Sequence, residues 1–401
     1  MLAFIMAAGE GTRMWPLTES RPKPLIPVGN KPIIEHIMDA VVDAGIEKMA
    51  ILIGREGRKI VGRYGYSYRG VPIEYRYQEE RKGTGSAAMY AEEFSDDRIL
   101  FLNGDIIFDK AILRNMIKEK NAILGVFMEN GENYGIIEGD EFLVEIKEKE
   151  KGAKNVWING GIYVFDRDIF DALRNCQISP RGEIELTDAI NMLTERKKIK
   201  IVRSDGYWSD VGTPWDLLDA NRNYLQKISG EIEGEIEENV VIKGNVVIGK
   251  GTTVKSGTYI EGPVLIGENC SIGPNSYIRP NTVIGNSCHI GNSSEIKASV
   301  IMDGSKIPHF NYVGDSVIGE NCNLGAGTKV ANLRLDEKNI SVNLKGKYVD
   351  TGRRKLGVIM GDDVKTGINV SIYPGTMIGK GTRIGPSTYV NGKIMSNTKI
   401  M

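Results

Sequence analysis

Aliphatic side chains recur every six residues through much of the second half of the chain. Eleven of them follow one another without a slip from Ile242 to Met302. An α-helix would scatter these side chains around its surface, because six is not a multiple of 3.6. A six-residue period fits a parallel β-helix, in which each flat side contributes one short strand and a corner. The spacing predicts a solenoid with an aliphatic core and with glycine or asparagine at its corners.

The same spacing predicts two interruptions of the coil. After Met302 the repeat resumes only at Ile318, 16 residues later, which is four residues more than two six-residue repeats (hexads). We therefore expect the chain to leave the coil at about residues 304–314. A second, highly charged interruption is expected at about residues 332–357, after which the repeat resumes at Val358. A small phase shift then precedes the repeats that begin at Ile378. Insertions into a solenoid commonly lie on its binding face.

The first half of the chain alternates apolar runs with helical patterns. The runs that predict strands lie at residues 2–7, 49–53, 73–77 and 99–102. A helix is predicted at residues 32–44, ending at Gly45, and another at about 214–228. The alternation predicts an α/β layer fold with a mostly parallel sheet, in which ligands bind beyond the carboxyl ends of the strands. A polar, glycine-containing passage gives predicted domains at residues 1–228 and 229–401.

Composition excludes several classes of partner. The 401 residues include 51 basic and 52 acidic side chains, and the net charge of −1 gives no support to a nucleic-acid or membrane partner. We see no apolar run of transmembrane length and no signal peptide, so we expect a cytoplasmic protein. The four cysteines have no spacing typical of metal ligands.

A glycine-rich turn directly after the first predicted strand indicates a phosphate site. Glycine allows a close backbone approach to phosphate, and an arginine adds a rigid fork of donors. Ten residues further on, two prolines hold Lys23 in a stiff loop. The combined spacing G-x-G-T-R-x-x-P-x-T, followed by K-P-L, is far more specific than a glycine turn alone. The residues predicted to bind phosphate are Ala8, Gly9, Gly11, Thr12, Arg13 and Lys23.

Two carboxylates stand beside this predicted site. Asp105 follows the strand predicted at residues 99–102, and Asp210 lies in the segment Trp-Ser-Asp-Val-Gly-Thr. Either one alone is an ordinary turn former. As a pair near a phosphate loop they predict a Mg²⁺ site, because this ion accepts one or two carboxylates together with phosphate oxygens and water.

Residues 1–228 resemble the sugar-1-phosphate nucleotidylyltransferases through the glycine loop, Lys23 and the two aspartates. The resemblance implies that UTP or dTTP donates a nucleotidyl group to a sugar 1-phosphate and that pyrophosphate leaves. It implies that Arg13 neutralises the pyrophosphate, that Lys23 stabilises the α-phosphate and that Lys149 holds the sugar phosphate. The residues implied to read the base are Gln78, Gly83 and Thr84, and those implied for the sugar phosphate are Gly135, Glu148, Lys149 and Asn159.

One of the three histidines, His309, lies in the first predicted interruption. His36 lies in a predicted amphipathic helix and His289 in an ordinary repeat, so we interpret both as structural. Residues 229–391 resemble the acetyltransferase half of the bifunctional N-acetylglucosamine-1-phosphate uridyltransferase/glucosamine-1-phosphate acetyltransferase family, a left-handed parallel β-helix of hexapeptide repeats. The resemblance implies acetyl-CoA as acyl donor and a homotrimer with the CoA site between neighbouring coils. The residues implied to bind the second substrate are Arg279, Lys297, Tyr312, Asn323 and Asn332.

The resemblance also implies the role of His309. An amine attacks a thioester only when it is unprotonated, and histidine, whose ordinary pKa is about 6.5, can take that proton near neutral pH. Backbone N–H groups near residues 325–327 are candidates for stabilising the oxyanion. The bacterial members carry Asn-Tyr-Asp-Gly where this chain has Asn-Leu-Arg-Leu from Asn332, so the amino sugar could be glucosamine or galactosamine 1-phosphate. The basic residues 353–355 are either CoA contacts or a solvated loop.

Three functions stay open at this point. The leading hypothesis is an enzyme of two activities that makes UDP-linked N-acetylated amino sugars. The first alternative is a nucleotidylyltransferase alone, with a structural or regulatory β-helix, and the predicted His309 insertion argues against it. A non-catalytic binding protein is the second alternative, and the presence of Arg13, Lys23, Asp105 and Asp210 argues against that.

Overall fold

The computed structural model describes residues 1–79, 82–94, 96–179 and 182–401. The chain forms two compact units, and their division does not follow the order of the sequence. The first unit comprises Met1–Glu10, Pro22–Leu25 and Ile33–Asp210; the second comprises Gly11–Arg21, Ile26–Pro32 and Val211–Met401. The domain boundary at residue 228 stays a prediction. In the described ranges, no helix is both long enough and apolar enough to cross a membrane.

Four parallel strands form the centre of the first unit's sheet. Their spatial order is Val71–Tyr77, Met49–Ile53, Leu2–Ala7 and Arg98–Asn103. Met49–Ile53 is buried along its whole length, as expected for a parallel strand that is covered on both faces. All four strands predicted from the apolar runs are confirmed, with ends that differ by at most two residues.

Antiparallel strands extend this sheet, so the prediction of a mostly parallel sheet is wrong. The long strand Lys154–Asp166 lies antiparallel to Arg98–Asn103, and it also pairs with Ala122–Asn130 and Gly135–Gly139. Short turns join several of these strands, and parallel neighbours would need a crossover of a dozen or more residues. The remaining strands of the first unit are Ser67–Tyr68, Ile106–Phe108, Leu143–Glu148, Lys200–Ser204 and Trp208–Asp210.

Helices cover the sheet of the first unit. The helix predicted at residues 32–44 is confirmed as Ile33–Asp43, and it buries Ile34, Ile37, Met38 and Val41 at helical spacing. The other helices of this unit are Arg58–Tyr64, Thr84–Met89, Lys110–Met116, Asp168–Asn175 and Leu186–Thr194. Short 3₁₀ turns lie at Lys23–Leu25 and Tyr90–Glu93.

The second unit is the predicted parallel β-helix with three faces. Val246 pairs with Val264 and Val264 with Thr282, so one turn of 18 residues holds three hexads. The strands of the first face are Glu231–Ile232, Val246–Ile248, Val264–Ile266, Thr282–Ile284, Val300–Ile301, Val317–Ile318, Ile359–Met360, Met377–Ile378 and Lys393–Ile394.

The strands of the second face are Glu235–Ile236, Thr253–Val254, Ser271–Ile272, His289–Ile290, Lys306–Ile307, Lys365–Thr366, Arg383–Ile384 and Lys399–Ile400, with Asn323 bridging the fifth and sixth. Those of the third face are Val241–Lys243, Tyr259–Glu261, Tyr277–Ile278, Glu295–Lys297, Tyr312–Gly314, Lys329–Val330, Ser371–Ile372 and Tyr389–Val390. Asn269, Asn275 and Asn281 have φ of +56°, +53° and +64°, so asparagine turns these corners in the left-handed region, which it tolerates better than most residues.

The interruption predicted at residues 304–314 is wrong. Ile307 and Val313 are fully buried members of the core. The strand of Val313 pairs with the coils on both sides, and that of Ile307 pairs with His289–Ile290 and bridges to Asn323. The register instead contains two short corners, because Ile284 pairs with Ile301 and Ile301 with Ile318, each after 17 residues. Met302 fitted the six-residue pattern only because it is an apolar neighbour of the true core residue, Ile301.

The second predicted interruption is confirmed as an antiparallel hairpin of Ser341–Leu344 with Lys347–Asp350. After the hairpin the coil resumes with Ile359–Met360, which stacks on Val317–Ile318. The phase shift predicted before Ile378 is absent, since Met360, Ile372 and Ile378 hold one register. Val358 is also buried, but two positions before a strand's core residue.

The helix predicted near residues 214–228 is confirmed as Asp216–Leu225. Leu225 is fully buried against Leu265 and Val283 of the first face. The second unit also contains the short strand pair Pro27–Val28 and Lys31–Pro32 and the 3₁₀ turns Thr12–Met14 and Leu17–Glu19. Residues from the start of the sequence therefore form part of the unit that contains the β-helix.

Candidate active sites

A cavity of about 320 Å³ in the first unit lies at the carboxyl ends of the central parallel strands. Ala7 ends the first strand, Gln78 follows Val71–Tyr77, and Asn103 ends the neighbouring strand. Seven residues predicted from the sequence line this cavity: Ala8, Gly9, Lys23, Gln78, Gly83, Thr84 and Asp105. Sequence reasoning missed Met6, Leu52 and Glu183, which also line it.

Two glycines allow the close packing around this cavity. A Cβ atom on Gly104 would lie 2.8 Å from the Cα of Ala7, so the turn before Asp105 approaches the first strand more closely than a side chain permits. A Cβ atom on Gly83 would lie 2.4 Å from the carbonyl oxygen of Ile184. The segment that contains Thr84 is thereby held against the segment before the helix Leu186–Thr194, and the Leu186 amide donates to Thr84 Oγ1 at 3.0 Å.

The buried Lys23 lies between the two predicted metal-binding carboxylates. Its Nζ atom is 2.5 Å from Asp105 Oδ2 and 3.5 Å from Asp210 Oδ1. Pairing of Ile106 with Asp210 in a two-stranded ribbon brings these carboxylates together. Among the described residues no group of three or more His, Cys, Asp or Glu side chains could hold a metal. Two carboxylates nevertheless fit Mg²⁺ beside a triphosphate, and the Lys23 ammonium shows that a cation is accommodated between them.

The predicted sugar-phosphate residues form a second cluster in the first unit. Gly135 is the register partner of Glu148, and a Cβ atom on Gly135 would lie 3.1 Å from Glu148 Oε1 and 3.6 Å from Asn159 Cβ. Asn159 is oriented at both ends of its amide, because Nδ2 donates to the Tyr163 hydroxyl at 2.8 Å and Oδ1 accepts from the Gly161 amide at 3.1 Å.

Lys149 adjoins this cluster in an unusual backbone conformation. Its φ is +53°, and its amide donates to the carbonyl of Tyr134 at 3.1 Å. A following proline would favour the extended region for Lys149, and the residue that follows is Glu150, so the sequence permits this conformation.

Gly11, Thr12 and Arg13 belong to the second unit. Gly11 has φ of +63° and precedes the 3₁₀ turn Thr12–Met14, and Thr18 Oγ1 donates to its carbonyl at 3.0 Å. Thr12 and Arg13 are both exposed.

The third face of the β-helix and the corner that follows it bring together most of the residues predicted for the second substrate. Arg279 and Lys297 come from successive coils at this corner, and Asn332 comes from the second coil after that of Lys297. Tyr312 lies on the face between Glu295 and Lys329. Arg279 donates to Glu295 Oε1 at 2.9 Å. The pKa of Tyr312 is raised, chiefly by burial and then by the negative charge of Glu295. Tyr312 therefore stays a neutral hydroxyl at physiological pH.

Asp315 joins two of these residues, and sequence reasoning missed it. Its carboxylate is buried, accepts a hydrogen bond from Asn332 Nδ2 at 2.6 Å, and lies 3.6 Å from Lys297 Nζ. Asp315 has φ of +49° and occupies one of the two short corners. The only signal in the sequence was the shortened repeat.

His309 and Asn323 lie away from that corner. His309 is exposed on the corner between the second and third faces, where its carbonyl accepts from the Gly327 amide at 2.9 Å. Asn323 is exposed on the second face, between Lys306 and Lys365. Within one chain, the six predicted residues are thus distributed over two faces and their corners.

The predicted oxyanion donors and His289 each have neighbours in the β-helix. The amides of Gly325 and Gly327 already donate to the carbonyls of Thr366 and His309, so they are engaged within the coil. The pKa of His289 is lowered by burial and then by the positive charge of Lys255, as expected of a structural histidine in a repeat.

The basic residues 353–355 include two arginines that form ion pairs. Arg353 Nη1 lies 2.7 Å from Asp219 Oδ2, and Arg354 Nη2 lies 2.7 Å from Glu337 Oε2. These ion pairs neutralise both arginines and so argue against their being CoA contacts.

Family models match both halves of the chain. Residues 2–227 match the model described as nucleotidyl transferase. Residues 260–366 match the GMPPB C-terminal domain, and residues 357–392 match the bacterial transferase hexapeptide model of six repeats.

Similar proteins extend over almost the whole length. The bifunctional protein GlmU of Methanocaldococcus jannaschii is 47% identical over 400 residues, which cover 99% of this chain and 97% of the relative. A bifunctional sugar-1-phosphate nucleotidylyltransferase/acetyltransferase of Sulfurisphaera tokodaii is 43% identical and covers 94% of each chain. A structure from Bacillus anthracis, described as a glucose-1-phosphate thymidylyltransferase in complex with a sucrose, superposes with a TM-score of 0.52 at 28% identity over 58% of this chain and 98% of that one.

Proposed function

The chain belongs to the family of bifunctional sugar-1-phosphate nucleotidylyltransferases/acetyltransferases, and we propose that it makes UDP-linked N-acetylated amino sugars by two reactions. In the first, an acetyl group passes from acetyl-CoA to the amine of glucosamine 1-phosphate. In the second, the N-acetylated sugar 1-phosphate takes a uridylyl group from UTP and pyrophosphate is released. The observation that carries the proposal is that Lys23, Asp105 and five other residues predicted for nucleotidyl transfer line one cavity of the first unit, while the residues predicted for acetyl transfer lie in the second unit.

Nucleotidyl transfer is the proposed chemistry of the first unit's cavity. An oxygen of the sugar 1-phosphate attacks the α-phosphorus of UTP, and the bond to the bridging oxygen of pyrophosphate breaks. Gln78, Gly83 and Thr84 bind the base, while Gly135, Glu148, Lys149 and Asn159 bind the sugar phosphate. Lys23 stabilises charge at the α-phosphate, and Arg13 neutralises the pyrophosphate. Mg²⁺ held by Asp105 and Asp210 would neutralise phosphate charge.

Acetyl transfer is the proposed chemistry of the β-helix. The amine nitrogen attacks the thioester carbonyl, and His309 takes the proton that the nitrogen loses. The C–S bond breaks, and the CoA thiolate takes this proton from His309 and leaves as a thiol. Arg279, Lys297 and Tyr312 bind the sugar phosphate, and Asn323 and Asn332 orient the sugar. Because Gly325 and Gly327 use their amides within the coil, Ala326 between them is the proposed oxyanion donor. We propose a cytoplasmic homotrimer, in which a neighbouring chain completes this site.

Two single substitutions test the division of labour. His309→Ala is expected to lower acetyl transfer by about 10²- to 10⁴-fold, the usual contribution of a general base, while UTP-dependent pyrophosphate release continues. Lys23→Ala is expected to lower uridylyl transfer by about 10²-fold, because charge stabilisation at the α-phosphate is lost, while acetyl transfer continues. Both reactions are measured on the same preparation, with glucosamine 1-phosphate, acetyl-CoA, UTP and Mg²⁺ each omitted in turn.

The assay also separates the alternatives. If acetyl-CoA is never consumed with either glucosamine or galactosamine 1-phosphate, the β-helix is structural or regulatory and the chain is a nucleotidylyltransferase alone. A thymidylyl preference would appear as faster pyrophosphate release from dTTP than from UTP.

A further inference from the structure

The segment Gly11–Arg21 lies along one corner of the β-helix within the second unit. Pro16 packs against Gly361, where an added Cβ atom would lie 3.2 Å from the proline's Cβ. Glu19 Oε2 accepts a hydrogen bond from the Lys380 amide at 2.9 Å. The Lys393 ammonium lies 4.3 Å from the centre of the Trp15 ring. The segment is therefore held at several points along the coil.

Arg21 provides the most buried of these contacts. Its guanidinium spans three successive coils at the same corner, donating to Met302 Sδ at 3.0 Å and to Asp362 Oδ2 at 2.5 Å and lying 3.1 Å from Glu320 Oε1. The side chains of Arg21 and Asp362 are only 8% and 7% exposed. Asp362 is itself fixed, because its other oxygen accepts from the Glu320 amide at 2.8 Å.

A buried pair of this kind constrains position more than a surface pair does. An exposed ion pair contributes little, whereas leaving one partner of a buried pair unsatisfied is strongly unfavourable. Arginine also suits the role, since its planar donors have a fixed geometry that lysine cannot reproduce. The backbone at Arg21 is consequently tied to coils whose own strands are in register on both sides.

We propose that the ion pair of Arg21 with Asp362 positions the segment Gly11–Arg21, which contains Arg13, and the adjoining Lys23 for uridylyl transfer. Arg13 lies eight residues before Arg21 in the same segment, and Lys23 follows Arg21 with only Pro22 between them. Both residues act on the triphosphate in the proposed function, on which this inference rests. Arg21 and Asp362 are positioning residues, because neither is assigned a contact with substrate.

The consequence is that uridylyl transfer depends on the pair of Arg21 with Asp362, which acetyl transfer does not use. Asp362→Asn keeps the size of the side chain and an oxygen for the Glu320 amide, but it removes the charge that faces Arg21. The expected result is a fall in kcat for uridylyl transfer of about 10- to 100-fold, the range that misplacement of a catalytic group produces. In the reverse direction the KM for pyrophosphate is expected to rise, because Arg13 is the proposed pyrophosphate ligand.

Substitutions of Arg21 and a control substitution at an exposed ion pair make the test more specific. Arg21→Lys retains a charge for Asp362 but loses the fork, so its uridylyl activity is expected to lie between those of wild type and Arg21→Gln. Asp219→Asn is the control, because Asp219 forms a 2.7 Å pair with Arg353 in the same unit but 51% of its side chain is exposed. This variant is expected to retain both activities.

Acetyl transfer by each preparation reports whether the β-helix is folded. Loss of uridylyl transfer with acetyl transfer retained supports the proposal. Unchanged kcat and unchanged KM for pyrophosphate in Asp362→Asn would overturn it, as would an equal loss of both activities. If wild type itself releases no pyrophosphate from UTP, the proposed function fails first, and that result is seen before any variant is compared.

Discussion

At the scale of single residues, the acetyltransferase site depends on a carboxylate that has no proposed contact with substrate. Asp315 accepts from Asn332 and lies beside Lys297, so it links a sugar-binding amide to a phosphate-binding ammonium. Hydrogen bonds to a charged group contribute about 1.5–3 kcal/mol, which is enough to fix both side chains. Its left-handed φ of +49° suits aspartate or asparagine and few other residues.

Replacement of Asp315 by asparagine tests this role without disturbing the backbone. The new side chain can still accept from Asn332, but its amide nitrogen would then direct donors at the Lys297 ammonium and displace it. We expect the KM for glucosamine 1-phosphate to rise about tenfold, equivalent to about 1.4 kcal/mol, with a smaller change in kcat. Steady-state kinetics of acetyl transfer check this outcome.

Asp303→Asn serves as the control for this substitution. Asp303 also accepts from a backbone amide, that of Asn286 at 2.8 Å, but it is exposed on a different corner. An equal rise of KM in both variants, or none in Asp315→Asn, would contradict the positioning role.

Much of the chemistry of the first unit could be predicted from short stretches of sequence, but less of its exact geometry could. The glycine loop and Lys23 could be predicted because tight turns and stiff prolines are local properties of the chain. The contact of Lys23 with both Asp105 and Asp210 depends on a ribbon between segments about a hundred residues apart. Periodicity contains no information about such a pairing. The positive φ of Lys149 likewise follows from the structure, not from a glycine in the sequence.

At the scale of elements, two short corners explain where the hexad prediction failed. In most corners the residue with positive φ is the third after the core residue, as at Asn275 after Ile272. At Ala298 and Asp315 it is the second, and each following serine hydroxyl donates to the carbonyl two residues earlier, at 2.7 and 2.8 Å. A count of aliphatic residues cannot distinguish one shortened corner from an insertion when neighbouring residues are both apolar.

Because residues 304–314 form regular coil and not an insertion, a corner of the β-helix presents His309. His309 occupies a regular corner whose geometry is set by the coils above and below, so no separate loop is needed to project it. The preceding coil approaches this corner closely at Gly291, where an added Cβ atom would lie 1.9 Å from the carbonyl oxygen of Pro308. Glycine at position 291 is therefore a steric requirement of the His309 corner.

Gly291→Ala is expected to damage both the fold and acetyl transfer. The added methyl must displace the Pro308 carbonyl, and overpacking of this kind typically costs about 1–3 kcal/mol. We expect a lower thermal midpoint and a reduced kcat for acetyl transfer, because the His309 corner moves. Differential scanning fluorimetry and the acetyl-CoA assay check the two effects.

A matched glycine in the same β-helix provides the comparison. At Gly230 the nearest atom to an added Cβ is the Val246 carbonyl oxygen at 3.3 Å, and neither glycine has a positive φ. Gly230→Ala should therefore change the thermal midpoint far less. If Gly291→Ala keeps the wild-type midpoint and the wild-type rate of acetyl transfer, the corner accommodates the added methyl without loss of stability and the prediction is wrong.

At the scale of the whole molecule, the two compact units are not consecutive stretches of sequence. Segments from the first 32 residues and the helix Asp216–Leu225 belong to the unit that contains the β-helix. Sequence patterns detect where one repeat ends and another begins, but they do not show on which unit a connecting segment packs. Leu225 illustrates this, since its burial against Leu265 and Val283 cannot be inferred from its position before a polar passage.

The distribution of the acetyltransferase residues also has a consequence at this scale. Arg279, Lys297 and Asn332 share the corner after the third face, whereas Asn323 projects from the second face. Side chains that point outward from different faces of one prism diverge. If they act on one sugar, a second chain must supply part of the site, as in the proposed homotrimer.

Complementation between inactive chains tests this requirement. Lys297→Ala and Asn323→Ala are each expected to abolish acetyl transfer alone, and the two proteins are then unfolded, mixed in equal amounts and refolded together. In a cyclic trimer whose sites take Lys297 from one chain and Asn323 from the next, about one site in four would combine two intact residues. Acetyl transfer should therefore recover to about a quarter of the wild-type rate. Uridylyl transfer by each protein before and after mixing measures recovery of the fold. Recovery of uridylyl transfer without any acetyl transfer would mean that a single chain supplies both residues, and the shared site would have to be abandoned.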